Sequence, residues 1–126
     1  MFDTMITDML EKIPGALGAT LFGVDGLPVA CCTLQGRRLD TEMGDELWEA
    51  ASIDLLRTII DIQKATKRLD AGGLDQVSIQ MEAFTLLMRP LSPDYVLVLA
   101  LENQVWAGKG RYIMRLLGDE MRQELA

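Results

Sequence analysis

Three groups of residues have types and spacing that chemistry could use: the adjacent thiols Cys31 and Cys32, the glycine-flanked cation of Gly108-Lys109-Gly110-Arg111, and the carboxylates Asp40, Glu42, Asp45, Glu46 and Glu49. A thiol pair raises the chemistry of a reactive nucleophile or half a metal site. Neighbours in sequence are badly placed to bridge each other, however, and two cysteines give no disulfide framework. They read as reduced, small apolar residues at a strand end. A phosphate-cradling loop needs glycine, four residues, then Gly-Lys followed by Ser or Thr, and Arg111 stands where the magnesium-binding hydroxyl belongs. These glycines read instead as a helix start that lets the backbone approach a sheet closely. The acids crowd the start of a long helix, where the helix dipole favours them and a solvated face accounts for them.

The chain has no histidine, which removes the usual general base, the commonest zinc ligand and any Ser-His or Cys-His nucleophile pair. The expectation is a binding or scaffold protein and not an enzyme, with no catalytic, cofactor or metal residues. A net charge of −7 and a pI near 4.5 oppose nucleic acid or anionic lipid as the main partner, since both need a cationic footprint. No apolar run approaches the roughly 20 residues that span a bilayer. The opening MFDTMITDML carries acids where a secretory signal carries Lys or Arg. A cytoplasmic protein without membrane insertion is expected, and 126 residues suffice for a single domain over 1–126.

The elements that must position any site follow from periodicity. Phe2, Met5, Ile6, Met9, Leu10 and Ile13 recur at helical spacing before Pro14-Gly15. GALGATLFGVDGLPVACCTL places two apolar runs around Asp25-Gly26, a hairpin signature, and Pro28 assigns the second strand to a sheet edge. Gln35 to Asp40 is a loop by composition, with Asp40 or Thr41 available to cap a helix from about Glu42 to Leu69 that Ala71-Gly72-Gly73 ends. VSIQME alternates Val77, Ile79 and Met81 against Ser78, Gln80 and Glu82. FTLLMRPL and YVLVLAL follow across the turn Ser92-Pro93-Asp94, the last apolar throughout as suits a central strand. An amphipathic helix from about Val105 to Leu125, with Ile113, Met114, Leu117, Met121 and Leu125 on one side, closes the chain. The fold class is α/β of the α+β type. A five-stranded antiparallel sheet is sandwiched by helices in the order α-β-β-α-β-β-β-α.

The long helix has more apolar surface than one sheet needs. At about 100° per residue from Leu47, the residues Leu47, Trp48, Ala51, Leu55, Ile59, Ile62 and Leu69 fall between about 0° and 120°. That arc is wide enough to cover a sheet. Ile53, Leu56 and Ile60 form a second cluster at about 180° to 240°, and Asp54, Arg57, Asp61, Lys64 and Arg68 fill the polar remainder. Burying three further aliphatic side chains is worth on the order of 4 to 9 kcal/mol before association costs, enough to matter for a dimer. The expectation is therefore a two-fold homodimer through Ile53, Leu56 and Ile60, with the Val77 and Ile79 strand pairing with its symmetry mate.

GALGATLFGVDGLPVA, the long helix ending at GGLDQVSIQM, the strand YVLVLAL and the closing VWAGKGRYIMRLL resemble, in that order, the Roadblock family of dynein light-chain and MglB-type proteins. The resemblance covers nearly the whole chain. It implies a homodimer through the long helix and third strand, presenting a platform for other proteins, and a small Ras-like GTPase as partner whose hydrolysis the dimer modulates. Arg57, Asp61, Lys64 and Arg68 are the candidate partner-binding residues. A small-molecule sensor with a pocket between sheet and helices, or a general protein-interaction domain without a GTPase partner, is the alternative.

Overall fold

The computed structural model describes the backbone of residues 2–33 and 44–125 and the side chains of 2–31 and 50–125. The expected loop from Gln35 to Asp40 and its Asp40 or Thr41 cap lie outside these residues. So do Glu42 and the side chains of Asp45, Glu46 and Glu49 in the carboxylate cluster, and those of Cys32, Leu47 and Trp48.

Eight main elements follow the expected order: α1 (Phe2–Lys12), β1 (Ala16–Gly23), β2 (Pro28–Thr33), α2 (Gly44–Lys67), β3 (Val77–Gln80), β4 (Thr85–Ser92), β5 (Tyr95–Leu101) and α3 (Ala107–Leu125). A short 3-10 turn, Gln104–Trp106, leads into α3. The strands form one antiparallel sheet in the order β2-β1-β5-β4-β3. β5 is central, as a run without polar residues demands, and Pro28 lies on an edge strand where its missing N–H breaks no ladder.

Alternation along the strands divides the core into two layers. Ala19, Leu21, Leu87, Leu91, Leu97 and Leu99 face α1 and α3 and meet Ile6, Met9, Leu10, Met114, Leu117 and Met121. Phe22, Leu86, Met88, Val96 and Val98 face α2 and meet Leu56 and Ile59. The β1–β2 turn works as the Asp-Gly pair requires. Gly26 takes φ +91°, its N–H donates to the Gly23 carbonyl at 2.9 Å, and Asp25 Oδ1 accepts from the Leu27 N–H at 3.0 Å. The Val24 N–H donates to the Asp94 carbonyl at 2.9 Å, fastening this turn to the β4–β5 turn.

Two glycines on α3 permit helix-to-sheet contact. A Cβ on Gly110 would stand 3.2 to 3.4 Å from methyls of Leu87, Leu99 and Leu101, and one on Gly118 only 2.9 Å from Leu91 Cδ2. The close-approach reading of the Gly-Lys-Gly run thus holds for Gly110. It does not hold for Gly108, around which a Cβ would meet nothing within 4 Å.

Candidate interaction surface

The surface begins with how α2 sits on the sheet. Its buried stripe is Ser52 at 2% exposure, Leu56 at 3% and Ile59 at 1%, with Leu55, Ile60 and Ile62 half-buried and Ala51 exposed. On the helical wheel this stripe centres near 140°, rotated from the arc that apolar residues alone select. Leu56 therefore belongs to the sheet-facing stripe and not to an outward patch, and Leu69, 72% exposed beyond the helix, covers nothing. The physical reason is fit: a small serine lets the helix settle, and Leu56 and Ile59 fill the surface over Phe22, Val96 and Val98. Ile53 remains 40% exposed at the margin. It packs against the β1–β2 turn, where a Cβ on Gly26 would lie 2.5 Å from its Cγ1.

β3 ends at Gln80, two residues short of the expected alternation, so Met81 is 43% exposed instead of buried. Val77 and Ile79 are half-buried against the α2-side core, while Ser78 and Gln80 are exposed on the other face. β3 pairs with β4 on one side only, and its other edge carries no strand among the described residues. Such an edge offers free N–H and C=O groups to a further strand.

The segment between α2 and β3 is held from the opposite layer. Arg89 on β4, 7% exposed, passes beneath α3 beside Gly118 and donates from Nη1 to Asp75 Oδ1 at 2.8 Å. Arg115 of α3 reaches the other oxygen of Asp75 at 3.5 Å. Asp75 thus ties the lead-in to β3 to both β4 and α3. Arg122 Nε donates to the Leu91 carbonyl and adds a second tie from α3 to β4. Nothing in the sequence pattern singled out Arg89, since one charge inside FTLLMRPL looks like a solvent-facing residue.

Arg57, Asp61, Lys64 and Arg68 are all exposed along α2 and its end, and none forms an ion pair among the described residues. They make one mixed-charge face rather than a charged pocket. Cys31 is a free, exposed thiol on β2 that accepts a hydrogen bond from Thr20 Oγ1 at 3.2 Å. No group of three or more His, Cys, Asp or Glu suited to a metal ion occurs among the described residues. No helix of the described residues is long and apolar enough to cross a membrane.

No protein-family model matches the chain, and no curated protein does. Solved structures do. MglC from Myxococcus xanthus is 31% identical with a TM-score of 0.69, covering 98% of each chain. A Roadblock/LC7 domain from Streptomyces avermitilis superimposes with a TM-score of 0.80 at 18% identity, over 98% of this chain and 96% of that one. Myxococcus xanthus MglB does so with 0.80 at 11% identity, over 98% and 93%. The last two share the fold, and MglC shares sequence across the full length as well. This chain belongs to the Roadblock family.

Proposed function

We propose that the chain is a non-enzymatic homodimeric scaffold, acting in the cytoplasm, that binds a small Ras-like GTPase and modulates its GTP hydrolysis. The observation that carries this reading is the open edge of β3 combined with the incompletely covered apolar margin of α2. Magnitudes decide how these share the work. Covering what remains exposed of Ile53 is worth about 1 kcal/mol, far below the cost of association, so helix contact at that position is insufficient. Strand pairing at β3 adds backbone hydrogen bonds of about 0.5 to 1.5 kcal/mol each and brings Val77 and Ile79 against their symmetry mates. In this dimer Ile53 and Ile60 form the helix contact, and Leu56 supports it from beneath by anchoring α2 to the sheet.

The paired α2 helices then present Arg57, Asp61, Lys64 and Arg68 from both copies as one mixed-charge face, suited to steering a folded partner. MglB and MglC among the similar structures support a place in a GTPase system. The deciding experiment immobilises this protein and measures binding of Ras-like GTPases loaded with GDP or a non-hydrolysable GTP analogue. Binding that depends on the nucleotide supports the reading. Equal binding in both states, or none, overturns it.

A further inference from the structure

The layer opposite α2 also carries apolar surface that the fold leaves uncovered. Tyr112 is 62% exposed and Leu116 49%, and their spacing of four places them on one outward ridge of α3, while Val105, 78% exposed, lies in the 3-10 turn that precedes the helix. Beside the ridge, between the end of α1 and the first turns of α3, runs an open groove of about 700 Å³. Leu10 and Ile13, each 1% exposed, form its floor, half-buried Ile113 is its accessible aliphatic side chain, and exposed Glu11, Lys12, Pro14 and Lys109 complete the lining.

Two residues here work against their own helix. Lys109 puts a cation in the first turn of α3, the end where the macrodipole favours an anion. Gly108 beside it lowers helix propensity, although a Cβ there would meet nothing. Neither lysine forms an ion pair among the described residues, so two cations face one carboxylate in the groove of a chain whose net charge is −7. Local choices that cost stability with no internal return are expected where a partner binds.

We propose that this groove and ridge dock an amphipathic helix of a partner protein whose apolar stripe is flanked by Asp or Glu. Charge complementarity selects the acids, which pair with Lys12 and Lys109; the positive end of α3 and the negative end of α1 meet in the groove and offset each other. Helical form follows from the ridge, where Tyr112 and Leu116 stand one turn apart and match the stripe spacing of a partner helix. An extended peptide would find no ladder to join, whereas a helix brings its own hydrogen bonds. The site lies across the sheet from α2, so it leaves the α2 face free and gives the protein two separate docking faces.

The test uses the full chain, isotopically labelled, titrated with a designed Leu/Ala/Glu helical peptide of about 18 residues, long enough to hold helical form. The same peptide with Lys in place of Glu, and vesicles of phosphatidylserine and phosphatidylcholine, serve as competing probes. The expected result is saturable amide shifts at Ile13, Lys109, Tyr112, Ile113 and Leu116 with the Glu peptide. The double variant Lys12→Glu/Lys109→Glu, folded by circular dichroism, should bind about tenfold more weakly. Ile60→Asp, on the other layer, should bind as the wild type does, which keeps this result separate from the dimer. No shifts, shifts centred on α2, equal affinity for the Lys peptide, or preferential binding to vesicles each overturn the proposal.

Discussion

Replacing glycines of α3 by alanine tests how the helix is held on the sheet. In a helix interior the exchange gains about 1 kcal/mol from propensity and backbone entropy. At Gly108 nothing opposes that gain, and because the site lies in the first turn somewhat less than about 1 kcal/mol should appear as added stability. At Gly118 the new methyl would sit 2.9 Å from Leu91 Cδ2 and 3.5 Å from Arg89 Nε. Leu91 is 2% exposed and Arg89 7%, and Arg89 is held by Asp75, so neither side chain has free space to move into. Overpacking of this kind costs about 1 to 3 kcal/mol, leaving a net loss of up to about 2 kcal/mol. Gly110→Ala, with contacts of 3.2 to 3.4 Å, should fall between. Urea denaturation at one fixed protein concentration, which holds the contribution of the proposed dimer constant, measures the order. A Gly118→Ala protein stabilised as much as Gly108→Ala would refute the packing argument.

Three further outcomes follow from the same geometry. Gly26→Ala should destabilise by more than about 1 kcal/mol, because it adds a positive-φ cost to a 2.5 Å clash with Ile53, and thermal melts would show it. Asp75→Asn should cost about 1 to 3 kcal/mol, discounted because Asp75 is 63% exposed. The loss should largely vanish in an Arg89→Met background, and additive losses in that double-mutant cycle would deny the tie. Reversing Arg57, Lys64 and Arg68 to Glu should slow GTPase association severalfold while leaving the solution mass unchanged; unaltered association kinetics would remove these residues from the docking face.

Much of the frame was legible because it rests on strong local signals. An all-apolar strand must be central, a proline strand must take an edge, and Asp-Gly between apolar runs turns the chain. All three hold in β5, β2 and the β1–β2 turn. The seating of α2 was not legible, because a wheel weighted by hydrophobicity overlooks a buried serine: Ser52 lies at the centre of the contact and Leu56 joins it. Arg89 escaped for the complementary reason. Its burial depends on Gly118 and Asp75, residues 29 and 14 positions away that no local pattern connects to it. Gly108 and Gly110 looked equivalent in sequence, and only the position of the sheet separates them.

The central claim is that two copies join through α2 and β3. Light scattering over a dilution series down to low micromolar, on the wild type and Ile60→Asp, tests it directly. The account predicts about twice 14.0 kDa for the wild type and 14.0 kDa for the variant with its circular dichroism retained. A wild type that stays at 14.0 kDa throughout would contradict it.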